Sequence, residues 1–447
     1  MKLKFFPNRW LKLLLIFALL LISSFVIFRY FIFPKYTNLI LITIDTLRAD
    51  HLGCYGYREN TSPFLDEFAR NGVLFSNAYV QIPLTLPSHT AILTSTHPKI
   101  NGVRLNGYCQ AKDELITLAE VMKEEGYSTF AVIGGFPLDG RFGLSQGFDL
   151  YDDRMEDEEA FDKDFKQWHH HKFLRYERKA NEVTDRAKQI LQKVGKREKF
   201  FLWLHYFDPH WRYKPPKKFT KLFKLAYDGE IAFVDTEIAS FFEQLKERRF
   251  HKNSLVVITS DHGEGLMEHG EEGHGWELFN STLKIPLMLY YPGVLPENIK
   301  IDTLCQSIDI MPTVLELMGI HPPAGIEGQS LASIIKGEED EASERCVFAE
   351  SNKPRVLYNN KTRYCLIKGN FKLIAYYSAD HQPEEYKLFN LKEDPKELKE
   401  LASFYPEKVE ELAEEINRFF NPAAQNYSFF STDKEVLEKL KALGYID

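Results

Sequence analysis

Short apolar segments that alternate with helical patterns constrain this sequence more than any other feature. Residues 38–44 (NLILITI), 200–207 (FFLWLHYF) and 255–259 (LVVIT) are continuous runs of branched and aromatic side chains. Runs of this length are typical of strands that are buried on both faces of a sheet. Helical patterns at 62–70 and 227–246 lie between them. The alternation therefore predicts an α/β domain with a mostly parallel sheet between helices.

Composition and charge narrow the class of protein. The chain has 447 residues, 27% charged residues and a net charge of -8. This is ordinary globular composition, which argues against a disordered or polytopic membrane protein, and it gives no indication of a nucleic-acid surface. The polar stretch 338–344 reads as a boundary. Beyond it, short strand patterns precede a helix at 406–420. We predict a main domain over 37–343 and a small α+β subdomain over 344–447.

The N-terminus predicts a membrane anchor. Residues 10–33 are almost entirely apolar and exceed the about 20 residues that span a bilayer. Four of the first twelve residues are Lys or Arg. This positive-inside bias predicts a cytoplasmic stub at 1–9, a single-pass helix at 10–33 and an extracytoplasmic remainder. A cleaved signal peptide is the alternative, although bulky residues at 29–31 stand where a small-residue cleavage site would lie.

Metal-ligating side chains follow two of the predicted strands. Asp45 comes directly after the first strand, and Asp261 and His262 come after the strand at 255–259. In parallel sheets, ligands bind beyond the carboxyl ends of the strands. Carboxylate and imidazole together suit a divalent cation. We predict a metal site here, while Asp45 taken alone is equally compatible with a helix cap.

A hydroxyl nucleophile is predicted at Thr85, which opens a helical pattern reaching Thr94. The N-terminus of a helix favours an anionic oxygen because its N–H groups are exposed and its dipole is positive there. Plain N-capping by Thr85 or Ser88 is the alternative interpretation. His210 follows the strand at 200–207 and suits an anionic group or a second metal. A hydroxyl, hard-cation ligands and several histidines are typical of phosphoryl or sulfuryl transfer.

Several segments resemble the sulfatase family of the alkaline phosphatase superfamily. LILITIDTLRADHLGCYG resembles the family's opening strand and first metal aspartate, LPSHTAILTSTHP its nucleophile helix, and TSDHGEGLMEHG its second metal motif. YKLFNLKEDPKELKELA resembles its C-terminal subdomain. The resemblance implies an alkaline-phosphatase-like fold and a metal-dependent ester hydrolase, with the catalytic domain over 37–343.

The nucleophile segment departs from the sulfatase pattern. Sulfatases carry Cys or Ser in C/S-x-P-S-R, which is converted to formylglycine, whereas this sequence has TLPSH at 85–89. No formylglycine is therefore expected. The segment is similar to that of nucleotide pyrophosphatase/phosphodiesterases, and membrane-anchored phosphoglycerol and phosphoethanolamine transferases also use a threonine. The family's second aspartate is Thr46 here, which favours zinc or manganese over the calcium of sulfatases.

The resemblance implies a role for each matching residue. The implied metal ligands are Asp45, Thr85, Asp261 and His262; the catalytic residues are Thr85, His210 and His274; the substrate-binding residues are Asn106, His210 and His274; and Asp208, His210 and His274 would hold the second ion of a two-metal form.

The leading hypothesis is cleavage of a phosphate ester through a covalent Thr85 intermediate, by hydrolysis or by transfer. Sulfate-ester hydrolysis without formylglycine and a non-catalytic envelope-binding protein are the alternatives. The expected substrate is a small-molecule, lipid head-group or glycan ester. The sequence gives no indication of the oligomeric state.

Overall fold

The computed structural model of the protein describes residues 17, 37–155, 176–338, 345–422 and 434–445. The predicted anchor at 10–33, apart from Phe17, and the predicted boundary between 343 and 344 lie outside the described residues. Within the described part of the chain, no helix has both the length and the apolarity needed to cross a bilayer.

The strands and helices are numbered here in chain order. The strands are β1 Asn38–Ile44, β2 Val73–Tyr79, β3 Ser128–Ile133, β4 Leu150–Asp152, β5 Phe200–Tyr206, β6 Ser254–Ser260, β7 Gly265–Leu266, β8 Glu272–Gly273, β9 Lys284–Tyr290, β10 Ile299–Gln306, β11 Cys346–Ser351, β12 Thr362–Lys368, β13 Phe371–Tyr377 and β14 Pro383–Asn390. The α-helices are α1 Pro63–Arg70, α2 Thr85–Thr94, α3 Pro98–Asn101, α4 Leu118–Glu124, α5 Ala180–Lys193, α6 Lys217–Thr220, α7 Ala226–Glu247, α8 Asn280–Leu283, α9 Ile310–Leu317, α10 Ala332–Ile335, α11 Lys353–Tyr358, α12 Pro406–Phe420 and α13 Lys434–Ala442.

The main sheet has the strand order β10-β2-β9-β6-β1-β5-β3-β4. Its strands run parallel except β9, which is antiparallel to both β2 and β6. The predicted mostly parallel sheet is therefore confirmed, and the reversal of β9 is new. β1, β5 and β6 are buried along their whole length, which explains why their sequences are continuous apolar runs rather than alternating ones.

The register of the central strands brings three loops together. Ile44 at the end of β1 pairs with Tyr206 on β5 and with Ser260 on β6. The residues that follow these strands therefore begin at one level on one edge of the sheet. Asp45 and Asp261 are the first residues beyond β1 and β6, so the fold itself places their side chains side by side.

The C-terminal region contains the predicted α+β subdomain. Strands β11 to β14 form an antiparallel sheet, and α12 packs on it through Leu412 and Ile416. Helix α13, by contrast, lies against the main domain. A Cβ built at Gly107 would lie 2.3 Å from Leu440 Cδ1, and the Lys439 ammonium lies 4.6 Å from the centre of the Phe136 ring.

Candidate active site

A cluster of unpartnered polar atoms lies at the carboxyl ends of β1 and β6. One ligand atom from each of Asp45, Asp261 and His262 lies within 4.8 Å of the others, and all three residues are buried. Among the described residues, Asp45 Oδ1, Asp261 Oδ2 and His262 Nε2 have no hydrogen-bond partner. Buried polar atoms are nearly always paired, so this donor set fits a divalent cation.

The surrounding hydrogen bonds orient these ligand atoms. Asp261 Oδ1 accepts hydrogen bonds from the backbone N–H groups of Thr46 (3.2 Å) and His262 (2.9 Å), which leaves Oδ2 for the cluster. His262 Nδ1 lies 2.9 Å from the carbonyl oxygen of Gly263. Donation to this carbonyl fixes the proton on Nδ1 and leaves Nε2 with a lone pair, as metal binding requires.

The electrostatics point the same way. Burial raises the pKa of Asp45 well above its usual value, and the neighbouring carboxylates of Asp261 and Glu264 raise it further. Burial also raises the pKa of Asp261 and lowers that of His262 well below its usual value. Two carboxylates in a buried site repel each other, which favours their protonated forms. A bound cation would instead favour the ionised forms.

Thr85 is the first residue of α2, and it is fully buried beside this cluster. Its hydroxyl donates to Asp45 Oδ2 at 3.4 Å. The N-cap residue of this helix is Leu84, and its side chain makes no hydrogen bond to the first turn among the described residues. Ser88 Oγ donates instead to the carbonyl oxygen of Asp261 at 2.6 Å. The interpretation of Thr85 and Ser88 as plain N-caps is therefore wrong.

The side chain of Asn106 is bonded to the N-terminus of α2. Its Oδ1 accepts a hydrogen bond from the N–H of Leu86 at 2.9 Å. Its Nδ2 is buried and lacks a hydrogen-bond partner in the described part of the chain. The amide thus holds the helix start with its oxygen and keeps a donor for another group, and its role in oxyanion binding stays a prediction.

His210 and His274 lie together on the other side of the cluster, with ring centres 5.3 Å apart. His274 Nδ1 lies 2.9 Å from Glu264 Oε1, and its ring centre lies 4.3 Å from that of His262. Burial lowers the pKa of His210 to about 3, with a further contribution from His274. Burial also lowers the pKa of His274 well below its usual value, with a further contribution from Lys353, so the site favours the neutral form of both rings.

The third residue of the predicted second metal site lies in a different environment. Asp208 Oδ1 accepts from Lys179 Nζ at 3.2 Å, and Oδ2 accepts from the N–H of Ala180 at 2.9 Å. Both oxygens of Asp208 are thus engaged at the start of α5. The structure therefore brings His210 and His274 together, whereas the Asp208 carboxylate is bonded to the residues that begin α5.

Two histidines support the nucleophile and its neighbour. His205 on β5 lies with Nε2 3.4 Å from Asp45 Oδ2, while its Nδ1 accepts from the N–H of Gly134. His89 bridges the carbonyl oxygen of Thr85 (2.8 Å) and Thr43 Oγ1 (3.0 Å). His205 lies within an apolar strand, where the sequence does not separate a site residue from a core residue, and His89 is the last residue of the TLPSH segment.

Sequence reasoning missed two further residues of the site. Glu264 accepts from His274 and from the Tyr213 hydroxyl at 3.2 Å, and burial raises its pKa to about 7. Its position three residues after Asp261 was the available signal. Tyr445 lies near the end of the chain, and its hydroxyl is 2.9 Å from Thr85 Oγ1. No local pattern indicated that contact.

The fold and site define an alkaline-phosphatase-like hydrolase, with a hydroxyl and a carboxylate–imidazole cluster at the edge of a mostly parallel sheet. The comparisons with known proteins agree. A family model described as "Sulfatase" matches residues 37–320, and a second one, "N-sulphoglucosamine sulphohydrolase, C-terminal", matches residues 270–423. The chain belongs to the sulfatase family.

Curated relatives and solved structures support this assignment. The ulvan-active sulfatase of Formosa agariphila is 26% identical over 69% of this chain and 67% of its own length. The N-acetylglucosamine-6-O-sulfatase of Bacteroides thetaiotaomicron is 21% identical over 90% and 91%. The crystal structure of a phosphonate monoester hydrolase from Agrobacterium radiobacter superposes with a TM-score of 0.71 at 18% identity, covering 87% of this chain and 96% of that one.

Proposed function

We propose that this protein is a metal-dependent hydrolase or transferase of phosphate esters that uses Thr85 as its nucleophile. One observation carries the proposal. The Thr85 hydroxyl lies buried at the start of α2, 3.4 Å from the Asp45 carboxylate, next to three unpartnered metal-ligand atoms. A hydroxyl in that position is suited to attack a tetrahedral centre whose oxygens face the helix N-terminus.

The donor set supports the proposed metal ligands. Asp45, Asp261 and His262 would hold one divalent ion together with Thr85 Oγ1, and zinc or manganese suits the imidazole in this set. When bound, the ion supplies positive charge that lowers the pKa of the Thr85 hydroxyl and stabilises charge on the substrate.

The other residues of the site act on the substrate. Thr85 passes its proton to the Asp45 carboxylate that its hydroxyl contacts, and Oγ1 forms a bond to phosphorus as the bond to the ester oxygen breaks. His210 or His274 takes up a proton when the anionic substrate binds and delivers it to that departing oxygen. Asn106 Nδ2 and the first N–H groups of α2 donate to the oxygens of the transferred group. Water or an acceptor hydroxyl then cleaves the phosphothreonine, which frees Thr85.

Sulfate-ester hydrolysis is the second candidate, because the curated relatives described above are named as sulfatases. It would proceed on the same residues with Thr85 unmodified. The phosphonate monoester hydrolase with the same fold shows that this fold also accommodates phosphorus chemistry. The names of the relatives favour a glycan ester as substrate, and a lipid head group is the other candidate.

We also propose that segment 10–33 anchors the chain as a single-pass helix, with the catalytic domain outside the cell membrane.

The test is hydrolysis of three aryl esters by the full-length protein: a phosphate monoester, a phosphodiester and a sulfate. Each is assayed with zinc, with manganese and with chelator. Thr85→Ala removes the nucleophile. Thr90→Ala is the matched control, because Thr90 is a buried threonine of the same helix whose hydroxyl bonds the carbonyl oxygen of Leu86 at 2.8 Å.

The expected result is metal-dependent phosphoester cleavage that is lost in Thr85→Ala and retained in Thr90→Ala. Cleavage of the sulfate alone would support the second candidate. Activity that persists in Thr85→Ala would overturn the mechanism. If all three esters remain intact, the chain is a transferase that needs its own acceptor or a binding protein, and metal content would separate these.

A further inference from the structure

The end of the chain enters the active site. Helix α13 ends at Ala442, and Gly444 then adopts a left-handed conformation with φ +80°. The N–H of Tyr445 bonds back to the carbonyl oxygen of Leu440 at 2.9 Å, which closes a Schellman-type C-cap. This turn directs the Tyr445 ring inward, where its hydroxyl lies 2.9 Å from Thr85 Oγ1.

The Tyr445 ring occupies the space that a substrate needs. Its centre lies 5.0 Å from the His210 ring and 5.6 Å from the His274 ring, so it packs beside both residues assigned to the leaving group. When Thr85 Oγ1 bonds to phosphorus or sulfur, the other oxygens of that group lie close to Oγ1. The Tyr445 hydroxyl stands at such a position, so the phenol and the substrate cannot be bound at once.

The site is also closed to solvent. Asp45 and Thr85 are fully buried, and His210, His274 and Tyr445 are 5%, 6% and 3% exposed. Within the described part of the chain, the Thr85 hydroxyl is therefore shielded from solvent while Tyr445 is in place.

Segment 434–445 is held by side-chain packing on the main domain. Val436, Leu440 and Leu443 are buried in the core of that domain. A Cβ added at Gly444 would lie 3.0 Å from atoms of the Trp211 ring. The close approach of the backbone to this ring therefore favours glycine at this position. A helix of nine residues is marginal on its own in water, so it depends on this packing and can be displaced as a unit.

We propose that segment 434–445 is an intramolecular plug: Tyr445 competes with the substrate for the space above Thr85, and turnover requires the segment to withdraw. The inference rests on the proposed function for the nature of the substrate, since both phosphate and sulfate esters present a tetrahedral oxyanion to Thr85.

The first test compares Tyr445→Ala and Tyr445→Phe with the wild type in the full-length chain, on whichever aryl ester the wild type cleaves. Only molecules in which segment 434–445 has withdrawn can bind the substrate, so their fraction limits the apparent affinity. Tyr445→Ala should raise that fraction and lower KM by about tenfold, with kcat unchanged or raised. Tyr445→Phe keeps the ring and should give a smaller decrease in KM. Tyr405→Ala, at a tyrosine that is half exposed on the surface, is the control and should change neither constant.

A fall in kcat of about tenfold or more (about 1.4 kcal/mol) at constant KM in Tyr445→Phe would overturn the plug, since the hydroxyl would then act on the reacting atoms.

The second test does not depend on turnover. Calorimetry measures the binding of inorganic phosphate and of sulfate in the presence of manganese, and hydrogen exchange follows segment 434–445. Faster exchange when the anion binds, with tighter binding by Tyr445→Ala than by wild type, is the expected result. Binding without a change in exchange, or no binding by either protein, overturns the plug. Faster exchange in a protein that cleaves none of the three esters and holds no metal would retain the plug and refute the proposed function.

Discussion

Asp45 and Asp309 are both fully buried carboxylates that follow strands of the main sheet, yet their surroundings are opposite. Asp309 Oδ1 accepts from the N–H of Gln329 at 2.8 Å. Its Oδ2 accepts from the N–H of Gln306 at 2.9 Å and pairs with the guanidinium of Arg345. On one oxygen Asp45 has two long contacts, from the Thr85 hydroxyl and from His205 Nε2, both at 3.4 Å. Its other oxygen lacks a partner among the described residues.

The difference separates a structural carboxylate from a functional one. Burying an ion is costly unless nearby groups compensate its charge. The chain supplies that compensation to Asp309 through Arg345 and two N–H groups. At Asp45 and Asp261 the chain instead raises the pKa by burial, and neighbouring carboxylates raise it further. The site is therefore arranged to receive a cation from outside the chain.

The largest expected effect is on catalysis. Asp261→Asn keeps the oxygen that accepts from Thr46 and His262, and it removes the charge of the predicted metal ligand. We expect kcat/KM to fall by about 10⁴-fold, or about 5.4 kcal/mol. Steady-state kinetics at saturating manganese measures the change. Under chelator, urea unfolding should show no loss of stability, because a repulsive carboxylate has been removed. Retained activity would place the metal elsewhere.

Asp309→Asn should have the opposite profile. The substitution leaves the Arg345 guanidinium buried without its carboxylate, and breaking such a pair costs about 3 kcal/mol or more. We expect the free energy of unfolding to fall by that amount in urea titrations, while kcat per folded molecule stays unchanged. A neutral effect on stability would mean that the two carboxylates do not differ in the way the hydrogen bonds indicate.

Metal addition tests the same difference between Asp261 and Asp309 through the free energy of unfolding. A ligand that binds only the folded state at 100 times its Kd stabilises by about 2.7 kcal/mol. Manganese or zinc should raise the unfolding free energy of the wild type and of Asp309→Asn by this amount, and chelator should reverse it. Asp261→Asn should show no such gain. Equal stabilisation of all three proteins would indicate a metal site outside the cluster.

The smallest expected effect concerns Asp235, which is buried and bonded to the N–H groups of Phe64 (3.0 Å) and Leu65 (2.8 Å) at the start of α1. Burial raises its pKa to about 7. Its folded pKa lies above the ordinary value, so its contribution is complete below pH 4 and is lost as pH rises through 7. The stability of Asp235→Asn relative to wild type should therefore rise between pH 4 and 7 in urea titrations. A constant difference would mean that Asp235 titrates normally.

Much of the site was predictable because its residues follow recognisable strands. Apolar runs located β1, β5 and β6, and the residues after β1 and β6 supplied the predicted ligands. Asp208 shows the limit of this reasoning. The family resemblance implied Asp208 as a ligand of a second metal, but Lys179 and the start of α5 engage both of its oxygens. A neighbour from another part of the chain decides such a case, and local sequence does not specify that neighbour.

The sequence by itself determined the class of fold, the buried central strands and the residue types at their ends, because these depend on local hydrophobic patterns and motif spacing. The tertiary structure alone decided which polar groups remain without partners. It also decided that β9 runs antiparallel and that the last helix returns to the main domain. Tyr445 reaches Thr85 across 360 positions in sequence. Such contacts depend on the packing of α13 against distant side chains, which no pattern within that helix encodes.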